Sequence, residues 1–367
     1  MYSSLDPGIA SERSRSRWRC GARDIVAAVP LVAIDARDAF DPQLRGWGRY
    51  VRELIDALPD RPGIEYRIIE QANGRGPEVL FEQVELPRLL RREQADLVHA
   101  PNCFLPLARP CMGVVTIHDL AFEVFPGDFS KRTGWKYRTF ASRSARSAQR
   151  VICVSGYTAA DVVRRYGVDE ARVRIIPNAP SLPIGTEPVP GDGPYLLAVG
   201  DLRPKKNLLR LVEAFVALRR EGLVHELVLA GIDSGSEAER VRSAAGGAPV
   251  RLTGYLSDAR LDALMRGADA LVHPSLYEGF GLVLVEAMAR GVPVVAARAT
   301  ALPETGGDAA EYFDPLDVAD MGAAIARVVG DRERHAELAR RGRERARRLS
   351  WATSAALTVA VYEEILL

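Results

Sequence analysis

The sequence lacks the features that would mark a membrane-spanning or nucleic-acid-binding protein. No apolar stretch approaches the roughly 18 residues that a membrane span needs. Lys and Arg together number 49 against 48 Asp and Glu, so the formal charge of +1 gives the whole chain no attraction to nucleic acid or to an anionic membrane. Any electrostatic attraction must therefore be local.

Cysteine is also scarce, with four residues in 367. Their positions show neither a CxxC pair nor a histidine-paired spacing, which argues against a zinc site. Such a small set without a ligand spacing fits reduced thiols in a cytoplasmic compartment better than it fits a disulfide framework. These cysteines are Cys20, Cys103, Cys111 and Cys153.

The N-terminal segment superficially matches a signal peptide, because the basic stretch Arg13–Arg23 precedes the apolar stretch Ile25–Ile34. The apolar stretch is only about ten residues long, Pro30 interrupts it, and it leads directly into a strand-to-helix unit. We therefore expect a disordered arm at 1–24, followed by a first buried strand, and no export.

Short apolar runs rich in β-branched residues alternate with segments of helical period, which is typical of parallel sheets covered by helices. The fold class is therefore predicted to be α/β, with one doubly wound sheet in each half of the chain. The predicted strands are Pro30–Asp35, Tyr66–Glu70, Asp96–Ala100, Gly113–His118, Arg150–Ser155, Tyr195–Val199, Glu226–Ala230, Val250–Thr253, Ala270–Pro274 and Pro293–Ala297. The predicted helices are Gly48–Leu58, Ser130–Gln149, Asn207–Arg220, Asp258–Arg266, Leu282–Arg290, Val318–Val329 and an amphipathic C-terminal segment, Trp351–Leu367.

A proline-rich segment separates the two halves, with prolines at 180, 183, 188, 190 and 194. The predicted division is an N-terminal domain at 25–180, a linker at 181–194, a C-terminal domain at 195–348 and a final helix at 349–367. Because ligands bind outside the carboxyl ends of parallel strands, two such domains would form a cleft lined by the loops that follow strands.

The strongest chemical signal is the run HPSLYEGFGLVLVEAMARGVPVVA, which begins at His273. A buried strand ends there, a loop with Gly279 and Gly281 follows, and a helix starts near Leu282. Glycines let the backbone approach a ligand, and the amides and dipole of a helix start favour an anion such as a diphosphate.

Two carboxylates frame this loop. Glu278 lies in the loop, and Glu286 is on the second turn of the helix among residues that are expected to be buried. A buried carboxylate needs a partner, which a pair of ribose hydroxyls would supply. An arginine in a structural network is the alternative for Glu286.

The glutamate pair resembles the signature of the retaining glycosyltransferases of family 4, which have the GT-B fold. Other segments resemble the same family in the same order, so the resemblance covers nearly everything from Leu31 onward. These segments are IDAR at Ile34, GWGRYVREL at Gly46, TIHDL at Thr116, VICVSGYTAADVVRRYGVDEARVRIIPNA at Val151, VGDLRPKKNLLRLVEAF at Val199 and LTGYLSDARLDALMRGADALVHPS at Leu252. The resemblance implies two Rossmann-like domains facing a cleft, with the C-terminal helix crossing back to the N-terminal domain.

Carried over residue by residue, the resemblance makes Glu286 the ligand of the donor's ribose and places Glu278 opposite the donor sugar. The catalytic candidates are Glu278, His118 and Lys206. Lys206, helped by Arg203 or Lys205, would hold the diphosphate as its negative charge develops. The remaining donor-site candidates are the amides of Gly279, Phe280 and Gly281, the start of the helix at Leu282, and the backbone of Leu256 beside the base.

Two positions depart from the family's pattern. Asp201 stands where many members carry an arginine, a charge that Arg203 would replace. Ala179 stands where a glycine often follows the asparagine of a turn, which concerns the local turn more than the function.

On the acceptor side, Gly46 and Gly48 are predicted to lie between the first strand and a helix that begins near Arg49. They resemble the family's glycine loop, although a plain turn explains a lone pair of glycines equally well. His118 and Asp119 end a buried strand at the cleft edge, where a contact to a hydroxyl of the donor sugar or acceptor is expected.

The resemblance implies transfer of a sugar from a nucleotide diphosphate sugar to a hydroxyl acceptor with retained configuration. Neither a metal ion nor another cofactor is expected, because lysine and helix-start amides take the metal's place. The PKKN form of the phosphate loop is most similar to enzymes that use GDP-mannose or related deoxysugars. The alternatives are a non-catalytic two-lobed sugar-binding protein and a GT-B nucleotide-sugar epimerase.

The acceptor is not readable from these motifs; a glycan, a lipid-linked glycan or a small molecule would serve. Residues 130–150 contain seven basic side chains, no acidic one and three aromatic ones. This segment would suit peripheral contact with the inner face of an anionic membrane, and an ordinary solvated helix explains it equally well. The arginines after Asp331 are interleaved with glutamates and are predicted to form a solvated helix face.

Overall fold

The computed structural model describes residues 29–40, 46–59, 63–70, 78–189, 191, 193–232 and 236–366. The predicted arm at 1–24, Pro190 of the predicted linker, and Leu367 lie outside the described residues. The predicted domain boundaries themselves stay predictions. Within the described residues, no helix is long and apolar enough to cross a membrane.

The N-terminal half forms a six-stranded, all-parallel sheet in the order β2-β1-β3-β4-β5-β6. Its strands are β1 (Leu31–Asp35), β2 (Glu65–Ile69), β3 (Leu97–Ala100), β4 (Met112–Ile117), β5 (Arg150–Cys153) and β6 (Val173–Ile175). Its helices are α1 (Gly46–Asp56), α2 (Glu78–Leu80), α3 (Leu86–Arg92), α4 (Ala121–Val124), α5 (Lys131–Ser147) and α6 (Gly156–Tyr166), with a π-helical turn at Phe81–Glu85 between α2 and α3.

The C-terminal half forms a second six-stranded parallel sheet in the order β12-β11-β10-β7-β8-β9. Its strands are β7 (Tyr195–Val199), β8 (Glu226–Ala230), β9 (Val250–Gly254), β10 (Ala270–His273), β11 (Val294–Ala297) and β12 (Ala310–Phe313). Its helices are α7 (Leu208–Arg220), α8 (Ser236–Ala245), α9 (Asp258–Arg266), α10 (Leu282–Arg290), α11 (Leu302–Gly306), α12 (Val318–Gly330) and α13 (Arg332–Ala346), and the chain ends with α14 (Trp351–Leu366).

These two sheets confirm the predicted α/β class and doubly wound architecture. In each sheet the strand order reverses direction at one point, between β1 and β3 in the first and between β7 and β10 in the second. Neighbouring loops diverge at such switch points and leave a crevice that binds ligands. The fold therefore predicts one crevice in each half of the cleft.

The C-terminal helix α14 crosses back to the N-terminal domain, as the resemblance implies. Tyr362 is fully buried among apolar residues of the first sheet, and its hydroxyl lies 2.7 Å from Nδ1 of His99. At the other end of the helix, Trp351 packs in an apolar cluster that also contains Tyr50 of α1 and Phe280 of the C-terminal half. The helix thus ties the two domains together.

Candidate functional site

A cleft of about 800 Å³ lies between the two domains, and loops that follow the strands line it. Most of the predicted site residues reach its wall. They are Gly46, Gly48, Asp119, Arg203, Lys205, Lys206, Leu256, Glu278, Gly281, Leu282 and Glu286.

Lys206 and Glu278 form the centre of the C-terminal wall. Lys206 follows β7, Glu278 follows β10, and the Lys206 Nζ lies 2.5 Å from Oε1 of Glu278. His273, at the end of β10, lies within 3.1 Å of the same oxygen through its Nε2, and the Glu278 amide donates to Oγ1 of Thr300 at 2.9 Å. The two loops on either side of the switch point therefore meet at one carboxylate.

The charge state of Glu278 follows from these contacts. Burial alone would raise the pKa of its carboxyl, but Lys206, the His273 hydrogen bond and Lys205 hold that pKa well below its ordinary value of 4.5. Glu278 is thus a carboxylate near neutral pH. It is suited to orienting a substrate or balancing charge, and unsuited to donating a proton as a general acid.

Lys205 and Arg203 add positive charge beside Lys206. The Lys205 Nζ is 3.8 Å from Asp119 across the cleft, and Arg203 is 3.6 Å from Asp201. Burial would lower the pKa of Lys205, but Asp119 and Glu278 outweigh burial and raise it, so Lys205 stays charged. Arg203 is thus paired with the aspartate that departs from the family's pattern.

Helix α10 begins beside these cations. Gly281 precedes its first residue with φ of 89°, a left-handed conformation, and a Cβ there would lie 2.6 Å from the Leu302 side chain. Gly281, Leu282 and Val283 at the start of this helix line the same cleft as Lys206. This pairing of amides and cations is a suitable environment for a diphosphate.

Glu286 is 4% exposed and makes the arginine pair that was the alternative interpretation of its burial. Its Oε2 accepts from Arg290 at 3.0 Å, and its Oε1 accepts from the backbone amides of Ser181 and Leu182 at 2.6 and 2.8 Å. A carboxylate has about four acceptor positions, so Oε2 retains capacity for a further donor such as a hydroxyl. The ribose contact stays a prediction.

Three predicted residues do not line the cleft. The ring of His118 packs behind Trp47, with ring centroids 5.7 Å apart, and its Nε2 donates to the Pro101 carbonyl at 2.7 Å. A Cβ on Gly279 would lie 1.7 Å from the His118 carbonyl oxygen, and Phe280 is in the apolar cluster between the domains. Gly279 and Phe280 thus serve domain contact, and their assignment to the donor site rests on the resemblance alone.

The glycine pair near the start of the chain requires a correction. Helix α1 begins at Gly46, so both Gly46 and Gly48 are in its first turn and not in a loop before it. The expected start near Arg49 was wrong because glycine is a poor helix former, and propensity was outweighed by tertiary contacts. Both glycines nevertheless line the cleft.

Sequence reasoning missed several side chains of this site. Arg49 makes a bidentate ion pair with Asp258 across the cleft, with its Nη1 and Nη2 at 2.9 and 2.6 Å from the two carboxylate oxygens. Trp47 lies between two glycines and lines the cleft, and His273 ends the strand five residues before Glu278. A signal existed for each, because an arginine, an aromatic residue and a histidine at strand or helix ends are typical of ligand sites.

The basic segment was also assigned incorrectly in part. Lys136 on α5 is buried, with its Nζ 2.7 Å from Glu78 and 2.9 Å from Glu82. Lys131, Arg132, Trp135 and Arg143 are exposed on the same helix. A buried lysine that is bound to the internal carboxylate of Glu82 and to the exposed carboxylate of Glu78 is unavailable to a membrane. Among the described residues, no group of three or more His, Cys, Asp or Glu is arranged to hold a metal ion.

Comparison with known proteins agrees with this geometry. The family model "Glycosyltransferase Family 4" matches residues 64–180, and "Glycosyl transferases group 1" matches residues 185–345. The chain is 28% identical to O-antigen chain mannosyltransferase B of Escherichia coli, over 90% of this chain and 99% of that one. It is 32% identical to the MMP α-(1→4)-mannosyltransferase of Mycolicibacterium hassiacum, over 75% of this chain and 72% of that one.

Among solved structures, sucrose-phosphate synthase from Thermosynechococcus elongatus superimposes with a TM-score of 0.71 at 24% identity, covering 92% of this chain and 99% of that one. That likeness supports the fold alone. The family models and the relatives, together with the two Rossmann-like domains around the cleft, show that the protein is a glycosyltransferase and belongs to glycosyltransferase family 4, of GT-B fold.

Proposed function

We propose that the protein transfers a hexose, mannose or a related deoxysugar, from a nucleoside diphosphate sugar to a hydroxyl of an acceptor, with retention of configuration and without a metal ion. The acceptor belongs to glycan or cell-envelope biosynthesis. The observation that carries the proposal is the Lys206–Glu278 ion pair of 2.5 Å beside the start of α10. Relatives that are named mannosyltransferases support the choice of sugar.

The chain's own groups would act by orientation and charge. Departure of the nucleoside diphosphate builds negative charge, which Lys206, Lys205 and the amides of α10 stabilise. Glu278, held as a carboxylate, would fix the donor sugar through hydroxyls, and Glu286 the ribose through Oε2. Closure of the domains would exclude water from the cleft and limit donor hydrolysis.

A thermal-shift panel tests the donor. UDP, GDP, ADP and dTDP are each added to the purified protein, because a ligand that binds only the folded state raises the melting temperature. GDP is expected to raise it most, since the PKKN form of the phosphate loop is most similar to enzymes that use GDP-mannose or related deoxysugars. Arg203→Ala with Lys206→Ala should abolish the shift, whereas Arg340→Ala, on the solvated face of α13, should keep it. No shift with any nucleotide would contradict the proposal.

Replacement of Glu278 tests the chemistry. Glu278→Gln keeps the size of the side chain and removes its charge, and we expect the transfer rate to fall by roughly 100-fold or more. Glu337→Gln, on the exposed face of α13, is the matched control. Circular dichroism and the nucleotide-induced shift verify that Glu278→Gln is folded. If Glu278→Gln transferred sugar at the wild-type rate, the proposed role of Glu278 in transfer would be wrong.

We further propose that the exposed face of α5 contacts an anionic membrane. Lys131, Arg132, Trp135 and Arg143 supply charge and an aromatic anchor on one helix. Flotation with vesicles of phosphatidylglycerol and phosphatidylcholine should show binding that Arg132→Glu with Arg143→Glu abolishes. Equal flotation of the double variant would contradict the membrane contact.

A further inference from the structure

The N-terminal end of the cleft has a chemistry different from that of the donor end. Its wall combines three aromatic side chains with two buried polar side chains, and we call this group the inner subsite. It consists of Trp47, Glu82, Asn102, Phe104 and Tyr137.

The fold places the inner subsite at the switch point of the first sheet. Asn102 follows β3, and Arg37 and Asp38, which also line the cleft, follow β1, the neighbouring strand across the reversal. Cys103 next to Asn102 has φ of 74°, a left-handed conformation that is unusual for cysteine. Strained backbone of this kind is concentrated at ligand sites, where surrounding structure maintains it.

Two acceptor atoms of the inner subsite have no hydrogen-bond partner among the described residues. They are Oε2 of Glu82, whose residue is 1% exposed, and Oδ1 of Asn102, whose residue is 4% exposed. A buried polar atom without a partner loses its hydrogen bonds to water without replacement, so proteins rarely keep one without a use. Both residues line the cleft, where a ligand that donates hydrogen bonds would satisfy them.

The charges of this region disfavour an anion. The two cations that the structure describes here already have partners: Arg37 is bound to Asp35 at 2.7 Å, and Lys136 to Glu78 and Glu82 at 2.7 and 2.9 Å. Among the described residues of this region, and with Asp38 counted, four carboxyl groups (Asp35, Asp38, Glu78 and Glu82) face these two cations. Burial followed by the proximity of Asp35 raises the pKa of Asp38, which is the direction expected where negative charge is in excess.

The donor end is different. Among the described residues there, Arg203, Lys205 and Lys206 are paired with Asp201, Asp119 and Glu278. The first two pairs are separated by 3.6 and 3.8 Å, and the amides of α10 add further positive potential. An anionic group has a suitable environment at the donor end and meets excess negative charge at the inner subsite.

The aromatic side chains provide the complementary apolar surface. Tyr137 contacts Trp47 and Phe104, with ring centroids 5.6 and 5.0 Å apart. Aromatic faces beside a few fixed hydrogen-bond acceptors match a sugar ring, which presents C–H groups on its faces and hydroxyl donors at its edge.

We propose that the inner subsite binds an uncharged sugar ring of the acceptor, with Asn102 and Glu82 accepting hydrogen bonds from its hydroxyls and with Trp47 packed against it. This inference rests on the proposed transferase function and adds the acceptor class. A phosphate or carboxylate on that ring is excluded by the surrounding carboxyl groups.

The test measures binding to the full-length protein in the presence of saturating GDP. Saturation-transfer NMR is recorded with the methyl glycosides of mannose, glucose, galactose and N-acetylglucosamine, and with the 6-phosphates of the same sugars. At least one uncharged glycoside should bind, and its 6-phosphate should bind at least about 10-fold more weakly because of like-charge repulsion.

Variants locate the binding. Asn102→Ala should weaken binding of the uncharged glycoside by about 3- to 10-fold, the loss expected for one hydrogen bond. The matched control is Asn178→Ala, because Asn178 is also a buried asparagine with an unpartnered Oδ1 among the described residues but does not line the cleft. Trp47→Ala should weaken binding as strongly as Asn102→Ala.

Three results overturn the inference: binding of no uncharged glycoside, equal or better binding of a 6-phosphate, or unchanged affinity of Asn102→Ala. The nucleotide-induced thermal shift distinguishes this failure from failure of the proposed function. If that shift persists in the wild type and in Asn102→Ala, the donor site stands and only the acceptor class is wrong.

Discussion

At the residue scale, burial determines the protonation state of two histidines of the N-terminal domain, His99 and His118. His99 is completely buried, with Thr116 2.8 Å from its Nε2 and Tyr362 2.7 Å from its Nδ1. Burial lowers the pKa of His99 to about 3 and the pKa of His118 to about 4. Both rings are thus neutral near pH 7.

These pKa values predict how stability depends on pH. Between pH 6.5 and 4 the unfolded chain binds a proton at His118 that the folded chain does not bind, so the free energy of unfolding falls as the pH falls through this window. In His118→Asn the dependence should be shallower by about one proton.

The measurement is urea unfolding of the wild type and of His118→Asn at pH 7, 6, 5 and 4. Parallel curves of unfolding free energy against pH for the two proteins would contradict the buried, neutral state of His118.

At the element scale, helix α5 shows why a pattern of charge is insufficient to identify a surface. Charge alone does not distinguish the basic side chains of this helix from one another in the sequence. Lys136 nevertheless points inward, and its Nζ also lies 4.4 Å from the centre of the Phe104 ring. Arg143 on the same helix is exposed. Helical spacing distributes such residues over several faces, and only packing against α2 and the π-helical turn decides which face is internal.

We expect Lys136→Met to destabilise the protein by about 3–5 kcal/mol, because it leaves Glu82 buried without its strongest cation. Arg143→Met is the matched control and should change the free energy of unfolding by less than about 0.5 kcal/mol. Chemical denaturation of both variants measures the difference. Equal stability of the two variants would mean that Lys136 is not the internal partner of Glu82.

The predicted long elements are confirmed, and the omissions have identifiable causes. β6 and β12 have three and four residues and are only partly buried, so their hydrophobic pattern is weak. Helix α6 was recoverable, since Ser155 accepts from the Thr158 amide at its start and Gly167 ends it with φ of 64°. Helix α8 was missed because polar and charged residues dominate it, whereas α13 agrees with the solvated helix face that was predicted after Asp331.

At the scale of the whole molecule, the two domains meet through backbone and not only through side chains. Ser155 and Thr158 at the start of α6 donate to the Gly279 carbonyl at 2.6 and 3.1 Å. Glu304 of α11 accepts from the Gly156 and Tyr157 amides at 2.8 and 3.1 Å. The loop with the glutamate pair is therefore also a contact that closes the cleft.

This contact predicts that adding a single methyl group at Gly279 disturbs the approach of the two domains. Gly279→Ala would place a Cβ 1.7 Å from the His118 carbonyl oxygen, so the domains cannot approach as they do here. We expect a larger radius of gyration by small-angle X-ray scattering and a transfer rate lower by roughly 10-fold or more, because reacting groups are misplaced.

Gly330→Ala is the control, because a Cβ at Gly330 has no atom within 4 Å. Scattering curves of Gly279→Ala and the wild type that superimpose would show that the domains do not close through Gly279.

The sequence alone determined the alternation of strands and helices, the order of the motifs and the glutamate pair, because local periodicity and helix-start chemistry are written in neighbouring residues. It also identified most of the residues that line the C-terminal wall of the cleft. Tertiary structure alone decided that Glu286 holds the Ser181 and Leu182 amides, and that Lys136 is internal. It also brought Trp47 and Asn102, 55 residues apart in the chain, to one subsite. Contacts between distant segments depend on packing, which no local pattern specifies.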